Sequence, residues 1–114
     1  MAINVNMTKM DVFNAKNASL AIPDVLGETL IVSGCAVDEN GGKSQSGEPC
    51  DVGYIATDKG VVGFTSNVCI KSMGGFADIL ADALADGVTI GVTFFESKTK
   101  SGKPFYNFRA FEVK

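Results

Sequence analysis

Apolar and polar positions alternate most cleanly in the last quarter of the chain. Val88, Ile90, Val92 and Phe94 take every second position, the pattern of a strand with one buried face. A second alternating run covers Lys103 to Phe111, and the Thr99-Lys100-Ser101-Gly102 connection between the two holds no apolar residue. The runs are therefore expected to pair as an antiparallel hairpin. In the returning run Tyr106, Phe108 and Ala110 share one face, while Phe105, Asn107, Arg109 and Phe111 share the other. A small one-sheet domain cannot bury both faces. With the first set inward, two rings, an amide and a guanidinium are displayed outward.

Earlier in the chain, Ile3 and Val5 alternate with asparagines, as in an extended tail or a short edge strand. Thr8 to Asp11 spells a capping box with Asp in place of Glu, so a helix of about two or three turns is expected from there. It must dock an apolar side on the sheet, because so short a helix is marginal alone. Ile22-Pro23-Asp24 marks a turn. Glu28 to Asp38 reads as a strand with apolar residues in both parities. Either it is buried on both sides or it bends around a small barrel, with Gly34 at the bend. Glu39 to Pro49 has nothing to bury and reads as a flexible loop, a tolerated insertion or a flap over a binding face. Cys50 to Thr57 and Val61 to Thr65 form a second hairpin, turning at Asp58-Lys59-Gly60. Tyr54 and Phe64 are its rings, each either core or a platform for a ligand.

Ser66 or Asn67 caps a helix in which Ile70, Met73, Phe76 or Ala77, Leu80 and Leu84 form the apolar stripe. Asp78, Asp82 and Asp86 make a solvated stripe opposite. Gly74-Gly75 would permit close contact with the sheet, and Gly87 ends the helix. The order strand, strand, strand, helix, strand, strand is that of an OB-fold. The expected fold is mainly β: a five-stranded OB-fold-like barrel with a helix between its third and fourth strands and a short N-terminal helix, in a single domain over residues 1–114. A sheet-and-helix sandwich is the alternative.

Composition changes this picture in three places. A length of 114 residues, 46% of them hydrophobic, allows one domain with a real core. No apolar run approaches the roughly 18 to 20 residues of a membrane span, and the start lacks a basic segment followed by a hydrophobic one, so no membrane partner is expected. The expected location is cytoplasmic. The chain has 13 acidic and 10 basic residues, a net charge of -3. Lys98, Lys100, Lys103 and Arg109 supply four positive charges with no carboxylate among them, so the remainder is more acidic than the total implies. A local cationic field can serve a polyanion even on an acidic protein.

Catalysis is not expected. The chain has no histidine, no phosphate loop of the required spacing and no cysteine with a visible activating partner. Cys35, Cys50 and Cys69 are odd in number and widely spaced, with no C-x-x-C, so neither a disulfide framework nor a metal site is indicated and the thiols read as small apolar residues. No cofactor is expected.

Cations interleaved with rings are what an unpaired nucleic acid strand requires, because the cations meet phosphates while aromatic faces stack on bases. The candidate DNA-binding residues are Lys98, Lys100, Lys103, Phe105, Asn107, Arg109, Phe111 and Tyr54. The bland reading is a surface hairpin with core aromatics and lysines that discourage edge pairing. A second functional reading is an exposed aromatic patch that docks a replication or host protein. RNA is a nearby variant of the first. Oligomeric state is not legible in the residues.

Ile55-Ala56-Thr57-Asp58-Lys59-Gly60-Val61, the helix from Ser66 to near Gly87, and Val92 to Phe108 with Ser97, Lys98, Ser101-Gly102-Lys103 and Phe105 resemble the single-stranded-DNA-binding proteins of small tailed phages that replicate linear genomes by protein priming. The resemblance spans roughly Glu28 to Val113. It implies a noncatalytic protein that coats and protects displaced strands during viral DNA replication, with little sequence preference, and Phe108 and Ala110 pointing inward. Glu112 departs from the family's apolar tendency there, which implies that the last residues leave the sheet. The N-terminal segment is also distinctive.

Overall fold

The computed structural model describes residues 3–43 and 46–113. Along the chain lie β1 (Asn4–Val5), α1 (Lys9–Ala18), a 3-10 turn (Ile22–Val25), β2 (Leu30–Lys43), β3 (Pro49–Thr57), β4 (Gly60–Phe64), α2 (Asn67–Asp86), β5 (Ile90–Lys98) and β6 (Pro104–Glu112). The architecture is mainly β, an antiparallel six-stranded sheet with two helices. Strands run in the order β4-β3-β2-β5-β6, and β1 pairs with β2.

The five expected strands and the helix between the third and fourth are present, but the expected barrel is not closed. Among the described residues β4 and β6 do not pair. The reason lies in the start of α2. β4 is only five residues long, and the chain then enters the helix, where the Ser66 hydroxyl and the Cys69 thiol both donate to the Tyr106 carbonyl. That carbonyl is one that a closing strand would have used.

β2 organises the sheet through a bulge. Its register with β3 moves from Val32↔Thr57 to Gly34↔Ala56, leaving Ser33 as the extra residue. Leu30 and Val32 before the bulge and Cys35 and Val37 after it therefore enter the same core despite opposite parity. The mixed pattern of this strand is thus a change of face. β5 pairs only with Leu30 to Val32. Beyond the bulge β1 takes over that edge, with Val5↔Cys35 and the Val37 N–H donating to the Ile3 carbonyl. The first residues are an edge strand.

Gly34 permits that takeover. A Cβ there would lie 2.8 Å from the Val5 carbonyl oxygen and 2.9 Å from that of Asn6, and backbone cannot swing aside as a side-chain tip can. Gly34→Val should therefore detach β1, with a stability loss of about 1–3 kcal/mol by urea melts and faster amide exchange at Val37. Unchanged exchange at Val37 would show that β1 tolerates the added bulk.

The main core lies between the sheet and α2. Cys69, Met73, Phe76, Ala77 and Leu80 of the helix meet Leu30, Ile55, Val62, Phe64, Val92, Phe94 and Phe108 of the sheet. Burial pushes the Cys35 thiol up to about 11, since the charged form cannot be solvated there. Gly87, at φ 72°, closes the helix in the left-handed conformation. Two details of α2 differ from expectation. Leu84 is exposed, and Gly74 and Gly75 face open space instead of the sheet. The aspartates of the opposite stripe are exposed.

α1 begins as its capping box requires. The Asp11 N–H donates to Thr8 Oγ1 at 3.0 Å and the Thr8 N–H to Asp11 Oδ2 at 2.9 Å. Val12 and Ala15 pack with Met7, Ala36 and Tyr54 in a second, smaller cluster on the outer side of β2–β4. Lys16 adds an ion pair to Asp38 at 2.7 Å. Docking is incomplete, because Met10 and Phe13 face solvent.

The expected flexible loop at 39–49 is mostly strand. β2 continues to Lys43 and β3 starts at Pro49, with Gly42↔Cys50 and Lys43↔Pro49 paired after a register shift. Asn40 adopts φ 56° and its N–H donates to Asp51 Oδ1. Backbone pairing needs no apolar side chain, so composition did not reveal it. Ser44 and Gln45 of this stretch lie outside the described residues. No helix among the described residues is long and apolar enough to cross a membrane.

Candidate functional site

The β5–β6 register sets the outer face of the terminal ribbon. Gly91 pairs with Phe111, Thr93 with Arg109, Phe95 with Asn107 and Ser97 with Phe105. These eight side-chain positions share one face because Val92, Phe94 and Phe108, of the other parity, are in the core. Among the described residues, none in the cluster beneath α1 comes from β5 or β6. The helix covers the outer face of the neighbouring strands and leaves that of the ribbon open.

Three rings line this face. Phe95 is 37% exposed, and Phe105 and Phe111 are half-buried. Phe95, Thr93 and Arg109 bound a shallow depression. Phe111 lies over Gly91, where a Cβ would come within 2.8 Å of the ring, so the glycine gives the ring its seat. The aromatic pairs among the described residues join Phe64, Phe76, Phe94 and Phe108 inside the core. The three outer rings pair with none of them.

Cations flank the rings. Arg109 is exposed on the same face, and Lys98, Lys100 and Lys103 are exposed at the ribbon tip. The tip is held by the Thr99 N–H donating to the Lys103 carbonyl and the Lys103 N–H to Thr99 Oγ1, with Gly102 at φ 85°. Among the described residues none of these four cations makes an ion pair, whereas Lys16 and Lys59 are held by Asp38 and Glu28. The ribbon's own carboxylates, Glu96 and Glu112, pair with Tyr106 and Ile90 and so fall on the opposite parity. By the same register Lys98 shares the parity of Glu96, so Arg109 is the strand cation on the outer face and the lysines add their charge at the tip.

Four expectations need correction. Tyr54 is 3% exposed and lies beneath α1, where nothing can stack on it; burial first and the Asp38 carboxylate second raise its phenol pKa. Its ring fills the second cluster and is absent from the open face. Asn107 is half-buried and turns its Oδ1 to accept from the Phe108 N–H at 2.9 Å, so its amide serves the edge of β6. Ala110 keeps the inward parity, opposite Val92, but is exposed and outside the core. Glu112 stays in the sheet opposite Ile90. Lys98, Lys100, Lys103, Phe105, Arg109 and Phe111 do come together on one ribbon.

Phe95 was not among the sequence candidates. Its signal was present in the alternation, since burying Phe94 sends Phe95 outward, but only the register places it between Arg109 and Phe105. No family model, no curated protein and no solved structure matches this chain.

Proposed function

We propose that the protein binds single-stranded DNA without catalysis, on the outer face of the β5–β6 ribbon. One observation carries the reading: Phe95, Phe105 and Phe111 lie on a sheet face that no described helix covers, beside cations that make no ion pair among the described residues. Rings give base stacking that does not depend on sequence, and the lysines and Arg109 neutralise phosphates. The strand order with α2 between β4 and β5 supports reading the sheet as an unclosed OB-fold. Coating displaced strands during viral DNA replication is the role that fits a small noncatalytic protein of this kind, with other replication proteins as further partners.

The test is a fluorescence-anisotropy titration of labelled oligo-dT and of the matching duplex across salt concentrations. The reading predicts tighter binding to the single strand, with log affinity falling linearly against log salt. Lys100→Ala should flatten that slope by about 0.7, the contribution of one phosphate contact on a single strand. Equal affinity for duplex and single strand would contradict the proposal. A preference for matched RNA would reassign the ligand.

A further inference from the structure

We infer that the free edge of β6 from Phe108 to Glu112 is a second, protein-binding site, which takes an extended basic segment of a partner as an added strand. The backbone sets out the site. In an antiparallel ladder a residue turns both its N–H and its C=O to the same side. The Val113 N–H donates to Thr89 and the Tyr106 carbonyl is held by α2, so odd-numbered residues of β6 face β5 and even-numbered ones face outward. The outward groups are managed along half of the strand only. Ser66 and Cys69 bond the Tyr106 carbonyl, and Asn107 bonds the Phe108 N–H. The Ala110 N–H and C=O and the Glu112 N–H have no partner among the described residues. At the other end of the sheet the edge of β4 is closed, because Leu20 exchanges two backbone hydrogen bonds with Val61 and Gly63.

An unpaired edge is a template for another strand unless it is blocked. Beside this one lies an open groove between β6 and the second half of α2, floored by Ala83, Val88 and Ile90 and rimmed by Asp82, Asp86 and Glu112. None of the three carboxylates is ion-paired among the described residues. Open N–H and C=O groups select an extended backbone, the apolar floor takes alternate side chains, and the carboxylates select lysine or arginine between them. The site lies at the opposite end of the ribbon from the tip cations. A strand of DNA is excluded from it by the same charges.

The experiment is a titration of 15N-labelled protein with the synthetic peptide acetyl-Lys-Val-Lys-Val-Lys-Val-amide and with its Glu-for-Lys counterpart. The basic peptide should move the amide signals of Ala110 and Glu112 more than those of Arg109 and Phe111, whose N–H groups are already bonded to β5. Asp82→Asn with Asp86→Asn should weaken the peptide about tenfold while leaving oligo-dT affinity unchanged. Three outcomes would overturn the inference. One is no shift with the basic peptide, or equal shifts with the acidic one. Another is movement of α2 signals while Ala110 and Glu112 stay fixed, which is ion pairing without strand addition. The third is concentration-dependent shifts of Ala110 and Glu112 in the protein alone, which would make the occupant a second copy.

Discussion

Phe105→Ala should weaken oligo-dT binding about tenfold, and Phe95→Ala with Phe105→Ala about a hundredfold, at every salt concentration. Each stacked base contributes about 1 to 3 kcal/mol, and 1.4 kcal/mol is a factor of ten. Salt independence separates this loss from that of a lysine, because stacking releases no counterions. The two rings lie diagonally across the ribbon, opposite Asn107 and Ser97, on the face away from the core, so the double variant should keep its urea midpoint near that of the parent. Anisotropy titrations of the variants measure the binding loss. A double variant that binds as the parent does would remove the rings from the site.

Phe94→Ala should have the opposite profile. Phe94 is fully buried and its ring centroid lies 5.9 Å from that of Phe64 and 5.6 Å from that of Phe108. Truncation leaves a cavity bounded by those rings and costs about 3–5 kcal/mol, a large part of the roughly 5–15 kcal/mol by which a domain of this size is stable. Urea unfolding measures it directly. Under conditions where the variant remains folded, its affinity for oligo-dT should match the parent's. Two adjacent phenylalanines thus give a stability loss and a binding loss, and a Phe94→Ala variant of parental stability would show that the inward and outward faces had been exchanged.

The readable part of the fold was the part written in side-chain periodicity. Phe94 against Phe95 and Phe108 against Arg109 follow from alternation alone, the Thr8–Asp11 box marks α1, and Gly87 marks the end of α2. What escaped was written in backbone bonding. In the arm from Glu39 to Lys43, Gly42 and Lys43 pair with Cys50 and Pro49 through main-chain groups and so carry no hydrophobic signature. The closing contact between β4 and β6 was expected from strand order, but Ser66 and Cys69 had already taken the Tyr106 carbonyl.

Tyr54 shows a further limit of local pattern. Its parity on β3 is that of an outward residue, opposite the core-facing Ile55, and a bare sheet would expose it. α1 folds over that face and buries it with Ala15 and Met7. A short helix some forty residues away in sequence decides the matter, and no window around Tyr54 contains it. Phe95, Arg109 and Phe105 remain outward because none of the described elements packs over the outer face of β5 and β6.

The most direct test of the proposed interface is the map of backbone amide shifts in 15N-labelled protein on titration with dT12. The account predicts movement concentrated at Thr93, Phe95, Ser97, Phe105, Arg109 and Phe111 and at the tip from Lys98 to Lys103, with the residues under α1 and the outward-bonding Ala110 and Glu112 moving least. Shifts centred on α1 and Tyr54, with the ribbon silent, would contradict it.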